Sequence, residues 1–282
     1  MNKEKKVKIA LMYDFDRTLC TKEMQEFAFI PSIGMQSSQF WEEANELGAR
    51  HHMDSVLAYM YLMIKKSAEK NIPLRRESLT ETGSSVQFYK GVETWFSRIN
   101  AFAESQGAQT EHYVISSGLK EIIGGTSIAK EFKEIFACEF LYDDSGSAVW
   151  PVTAVNYTNK TQFVYRINKG VLDVSNDRDL NKSMPDDSKR IPFGNMIYIG
   201  DGLSDVPCMK MMKSYGGYSI AVYDKKNEKV CDLLLKNRVD YIYPADYSAD
   251  TDLENTVKNI IRKIVISQRL FDENKNQLRN IN

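Results

Sequence analysis

The chain lacks any apolar run approaching the roughly 20 residues that a membrane-spanning helix needs. It also lacks a charge bias. Against 38 Asp and Glu stand 37 Lys and Arg, a formal net charge of -1, so no global field draws it to nucleic acid or to an anionic membrane. Cysteine is sparse and scattered: Cys20, Cys138, Cys208 and Cys231, with no C-x-x-C pair. That spacing argues against a disulfide framework or a zinc site and for reduced thiols. The phosphate-loop pattern G-x-x-x-x-G-K-[ST] is missing, which removes the simplest reading as an ATP-binding switch. There is no internal repeat and no low-complexity tract. The basic start, Met1 to Lys6, leads into an apolar stretch that breaks at Asp14. It reads as the lead-in to a strand rather than a signal peptide, so a cytoplasmic location is expected.

What is present is a chain of 282 residues, 43% of them hydrophobic, enough to bury a large core in one or two domains. Its organising stretch is Leu11-Met12-Tyr13-Asp14-Phe15-Asp16-Arg17-Thr18-Leu19. Residues 7–13 are apolar and β-prone and read as a buried strand. Asp14 and Asp16 leave its end two residues apart, a spacing that points both side chains the same way in extended chain. Two carboxylates so placed repel unless a cation sits between them or they divide acid and base work. The alternative is a polar turn with helix-capping aspartates.

Two further apolar runs end in polar clusters. Residues 112–115 lead into Ser116-Ser117-Gly118, and residues 195–199 lead into Gly200-Asp201-Gly202-Leu203-Ser204-Asp205. Between them, Asn159-Lys160-Thr161 precedes a helical pattern. Lys169 competes with Lys160 as the site lysine; Lys160 is preferred because it opens a helix rather than following one. Strands alternating with helices predict an α/β fold, a Rossmann-like, mostly parallel sheet with helices on both faces. Residues 21–89 carry no strand signal, only helical spacing interrupted at Pro31, Gly34 and Pro73. They read as an all-helical cap inserted into a core formed by 1–20 and 90–282. Within the core, residues 128–134 read as a helix, 143–146 as a hairpin turn, and 170–192 as a polar surface excursion. His51-His52 reads as a helix end, and Met53, Met60, Met63, Met209, Met211 and Met212 as core filling.

The four polar clusters, in this order and context, resemble the motifs of the haloacid dehalogenase superfamily. They are most similar to its phosphoserine phosphatase branch, which also carries an acid in the first cap turn, here Glu23. The resemblance implies a magnesium-dependent phosphatase acting on a small phosphomonoester, with a phosphomutase or a non-catalytic phosphate-binding module as alternatives. It implies Asp14 as nucleophile and Asp16 as general acid and base. Ser116, Ser117, Gly118 and Lys160 would hold the phosphate, with the Ser117 and Gly118 amides at a helix start. Mg2+ would be held by Asp14, by the Asp16 backbone carbonyl and by Asp201, with Asp205 in support. Asp16 argues against a hydrolytic dehalogenase, which needs no second acid. A cation-pump ATPase would need membrane spans. Specificity is expected from the cap, where Glu23, Phe27, Arg50, Arg75 and Arg76 are candidates, and an amine-bearing phosphoserine-like substrate would suit Glu23. Arg17 stands where the family has a small residue, and the sequence gives it no role. The expected partner is a small phosphorylated metabolite.

Overall fold

A computed structural model of the protein describes residues 6–185 and 188–281. The first five residues of the basic lead-in, and Asp186 and Asp187 of the polar excursion, lie outside it. In chain order the elements are β1 (Val7–Tyr13), α1 (Phe29–Ser32), α2 (Ser37–His51), α3 (Ser55–Glu69), α4 (Arg76–Thr82) and α5 (Val92–Ser105). Next come β2 (Ala108–Leu119), α6 (Lys120–Gly124), β3 (Phe132–Tyr142), β4 (Ala148–Thr153), α7 (Lys160–Lys169) and α8 (Asp177–Leu180). The chain closes with β5 (Met196–Gly200), α9 (Val206–Ser214), β6 (Tyr218–Tyr223), α10 (Glu228–Leu235), β7 (Tyr241–Pro244) and α11 (Asp252–Ile281).

The strands form one seven-stranded sheet in the order β4-β3-β2-β1-β5-β6-β7. All neighbours are parallel except β3 and β4, which pair antiparallel as the hairpin expected around residues 143–146. From β1 the chain steps to β2 on one side, with α5 as the crossover; from β5 it steps to β6 on the other, with α9 between. Right-handed crossovers in opposite directions put those helices on opposite faces. A strand covered on both faces reads as continuously apolar. Accordingly Ile9, Ala10, Leu11, Met12 and Tyr13 are all fully buried.

The reversal of strand order at β1 creates the crevice that matters. β1 lies between β2 and β5, with Tyr13 in register with Val114 on one side and Ile199 on the other. Residues just beyond those positions therefore emerge side by side at the carboxyl edge of the sheet, where ligands bind in folds of this type. α1 to α4 form an all-helical insertion between β1 and β2. Asp54 caps α3 by accepting from the Val56 and Leu57 amides, which fixes where that helix starts.

One local expectation is corrected. Residues 128–134 hold only a single 3₁₀ turn, Ala129–Glu131, before β3 begins at Phe132. Phe132 pairs with His112 of β2, so sheet pairing overrides the helical spacing of a short segment. The described residues of the polar excursion do lie at the surface, almost all exposed or half-buried, and Arg166 tethers them. Arg166 is buried, and its guanidinium donates to the Asp173 and Val174 carbonyls at 2.8 and 3.0 Å and to the Asp177 carboxylate at 2.6 Å.

A second buried ion cluster ties the far end of the core. The Glu254 carboxylate at the start of α11 is fully buried and accepts from Arg98 Nε at 2.7 Å, Lys258 Nζ at 2.8 Å and the Asp250 amide at 2.8 Å. Burial opposes its charge, but Lys258 and Arg98 outweigh it and hold its pKa down at about 2. A carboxylate with a depressed folded-state pKa stabilises the protein above its ordinary value of 4.5, and that contribution fades as pH falls towards 2. Glu254→Gln strands two cations and is expected to cost about 3 kcal/mol at neutral pH, as breaking a buried pair does. Urea denaturation should show this deficit at pH 7 and a much smaller one near pH 3; a pH-independent deficit would refute the ionic account.

Candidate active site

Three of the polar clusters lie at the crevice ends of β1, β2 and β5, and the fourth opens α7. The Asp14 amide donates to Ile199 O at 2.9 Å, which extends the β1–β5 ladder by one bond and places the Asp14 side chain next to the end of β5. Lys160, the first residue of α7, is buried and bridges two acids, with Nζ 2.9 Å from Asp14 Oδ1 and 2.8 Å from Asp205 Oδ1. Asp205 Oδ1 also accepts from the Tyr198 hydroxyl at 2.7 Å. A side chain on Gly200 would place its Cβ 2.4 Å from Asp205 Oδ2, so glycine there lets Asp205 close onto the strand end. Oxygen atoms of Asp14, Asp201 and Asp205 lie within 4.8 Å of one another.

Asp16 sits beside them, nearly buried. Its Oδ1 accepts from the Met24 amide at 2.8 Å, and Gly118 packs against its other oxygen so closely that a Cβ would stand 2.9 Å from Oδ2 and 2.1 Å from Met24 Cε. Gly118 is therefore needed for close approach, not for its own torsion angles.

The phosphate cluster differs in detail from expectation. Ser116-Ser117-Gly118 lies within the end of β2, and α6 begins only at Lys120 and runs five residues. The Gly118 amide donates to Ser116 Oγ at 3.0 Å, and the fully buried Ser116 does not line the cavity. Ser117 does, and its carbonyl accepts from Tyr59 of α3 at 2.6 Å. The expected helix-start anion site is thus replaced by an irregular strand end: the register with β3 breaks between Ile115 and Leu119, and Leu119 still pairs with Cys138, so the helix starts later.

The cavity above these groups measures about 500 Å³. Its floor is Asp14, Asp16, Lys160 and Asp201; its walls include Glu23, Gln25, Trp41, Asn45, Val56 and Tyr59 from the helical insertion and its entry, and Tyr157 and Ser204 from the core. Of the specificity candidates, Glu23 lines it. Arg50 does not: it is exposed in the last turn of α2, where a cation answers the helix dipole. Arg76 pairs with Glu139 at 3.2 Å and stacks over Tyr142, Arg75 forms an isolated backbone β-bridge with Ser147, and both arginines and Phe27 are outside the lining. Lys169 is remote from the cavity, its Nζ donating to the Leu180 and Lys182 carbonyls. Tyr59, Tyr198 and Trp41 were invisible as site residues in the sequence, since an aromatic at helical or strand spacing reads as core. Arg17 did carry a signal, because it stands where the family has a small residue.

Electrostatics follow from burial. Asp14 is pushed up to about 7, mainly by burial, with Lys160 opposing and Asp205 adding to the rise. Asp16 is raised well above the usual carboxylate range by burial, then by Glu23 and Asp14. Asp201 is raised likewise by burial and by Asp14 and Asp205. For Lys160 burial opposes the charge, but Asp14 and Asp205 prevail and keep it cationic. Clustered carboxylates short of positive charge, offering oxygen ligands only, fit a hard divalent cation.

The model of the haloacid dehalogenase-like hydrolase family matches residues 11–210, and the chain belongs to that family. An uncharacterized protein of Borreliella burgdorferi is 29% identical over 296 residues, covering 95% of this chain and 100% of that one. Among solved structures, a haloacid dehalogenase family hydrolase from Salmonella enterica serovar Typhi superposes with a TM-score of 0.56 at 14% identity, over 86% of this chain and 71% of that one. A substrate-bound phosphoserine phosphatase superposes with a TM-score of 0.54 at 16% identity, over 90% and 99% of the two chains. At such identities the likeness is one of fold.

Proposed function

We propose that the protein is a phosphatase that cleaves small phosphomonoesters through an aspartyl-phosphate on Asp14. The observation that carries this reading is Asp16: a buried carboxyl beside Asp14, facing the same cavity and biased towards its protonated form. Hydrolysis of a carbon–halogen bond has no use for such an acid, whereas expelling an alkoxide does.

In this mechanism an Asp14 oxygen attacks phosphorus and the ester P–O bond breaks. Asp16 passes its proton to the departing oxygen. A water molecule then loses a proton to the Asp16 carboxylate and attacks phosphorus, breaking the Asp14–phosphorus bond and releasing inorganic phosphate. Lys160 holds Asp14 in place through the 2.9 Å contact and keeps a fixed positive charge beside the transferring group. Asp14, Asp201 and Asp205 would hold Mg2+, together with the Asp16 carbonyl, and the ion when bound would offset charge on the phosphoryl oxygens. Residues 21–89 would act as the cap, closing the cavity with the face that carries Trp41 and Tyr59. A small phosphorylated metabolite fits a volume of about 500 Å³.

Hydrolysis of p-nitrophenyl phosphate tests the reading. Turnover is expected with added Mg2+, to vanish with a chelator and to return when Mg2+ is restored. Failure to hydrolyse any of a panel of phosphomonoesters in Mg2+ would reject it.

A further inference from the structure

Arg17 is the residue that neither the sequence motif nor the mechanism uses. It sits between Asp16 and Thr18, with a backbone φ of 56°. That left-handed conformation suits glycine and is uncommon for a long side chain. A non-glycine residue held there points to a local function that outweighs the strain. The side chain lines the catalytic cavity and remains 56% exposed. Its Nε donates to Glu23 Oε1 at 2.9 Å. Among the described residues, neither Nη group donates a hydrogen bond.

The lining acids are Asp14, Asp16, Glu23 and Asp201, and the lining bases are Lys160 and Arg17. Lys160 is buried and shared between Asp14 and Asp205. Arg17 is thus the lining cation that still offers donors to an incoming molecule. Glu23, in turn, is the acid that would greet a substrate amine, but Arg17 already neutralises it. An amine arriving there meets a guanidinium beside its partner carboxylate; an anion meets an open bidentate fork.

We propose that Arg17 is a specificity-determining residue. It would recognise a second anionic group, a carboxylate or a further phosphate, on the leaving portion of the substrate, and Glu23 would orient its guanidinium. The substrate class is then a phosphorylated hydroxy acid or a bisphosphate rather than a phosphorylated amine. This rests on the phosphatase reading above.

Matched substrates test it. 3-Phosphoglycerate and glycerol 3-phosphate differ by a carboxylate in place of a hydroxymethyl group. Fructose 1,6-bisphosphate and fructose 6-phosphate differ by a second phosphate. Phosphoserine and 3-phosphoglycerate differ by an amine in place of a hydroxyl. The wild-type protein should favour the member with the extra anion in at least one of the first two pairs by about tenfold or more in kcat/KM, as one charge-assisted contact allows. Which pair responds identifies the anion. Arg17→Gly relieves the positive φ and so keeps the fold; it should erase the preference, chiefly through KM. Glu23→Gln should not create a loss for phosphoserine relative to 3-phosphoglycerate.

Three results would overturn the proposal. One is absence of an anion preference in the wild-type protein. Another is an equal loss on every substrate in Arg17→Gly, which would place Arg17 on the transferring phosphate or in the turn itself. The third is a wild-type preference for phosphoserine that Glu23→Gln abolishes. Calorimetric binding of the same pairs to Asp14→Asn protein reads the preference without turnover. Preserved hydrolysis of p-nitrophenyl phosphate with no anion preference would sink this inference alone; loss of all hydrolysis with the binding preference intact would sink the phosphatase reading alone.

Discussion

Asp14→Asn is expected to lower kcat for every phosphomonoester by more than about a thousandfold, the scale on which removing a covalent nucleophile acts. The amide keeps the shape of the side chain and its place in the β1–β5 ladder, because the ladder bond runs from the Asp14 backbone to Ile199 O. It loses the negative charge that Lys160 meets at 2.9 Å, and it is a poor nucleophile and a weaker ligand for a hard cation. Lys160 keeps Asp205 at 2.8 Å, so the site is not left with an unpaired buried lysine and the fold should hold. Steady-state kinetics with circular dichroism separates the two effects. A folded variant that retains more than about a tenth of the wild-type kcat would exclude Asp14 as the nucleophile.

Asp16→Asn should produce a different pattern. With an alkyl phosphate, the first half-reaction loses the proton that the leaving alkoxide needs, and turnover should fall by about a hundredfold or more. With p-nitrophenyl phosphate the leaving group departs without such help, so the first half-reaction should be nearly spared. The second half is slowed for both substrates, because water then lacks its base. A rapid burst of about one equivalent of p-nitrophenol, followed by a slow steady rate, is therefore expected in rapid-mixing experiments, with phosphate transiently bound to protein. Equal slowing of alkyl and aryl substrates, with no burst, would contradict the assignment of Asp16 as proton shuttle. Metal binding should survive the substitution, since the expected ligand at this position is a backbone carbonyl.

Much of this architecture was legible in the sequence because its signals are local. Fully buried parallel strands must be apolar throughout, so β1, β2 and β5 declare themselves, and the polar clusters must follow their carboxyl ends. The long helical stretch between β1 and β2 announces itself by the absence of any strand pattern. The weak points were short segments, where local spacing competes with pairing. The 3₁₀ turn before Phe132 and the delayed start of α6 both arise because β2 and β3 extend further than their own residues suggest.

Consecutive residues alone specify the sheet, the helical insertion and the polar groups available for chemistry, because periodicity and the position of a polar cluster after an apolar run are local properties. How those groups share one space follows from the packed fold. It separated Lys160, bridging Asp14 and Asp205, from Lys169, which serves backbone carbonyls. It removed Arg50 from the cavity and brought in Tyr59, it set the Tyr198 hydroxyl against Asp205, and it joined Arg17 to Glu23. Each of these depends on the approach of segments remote in the chain or on the direction of a long side chain. Burial then sets their charge, and burial belongs to the packed molecule, not to any stretch of its sequence.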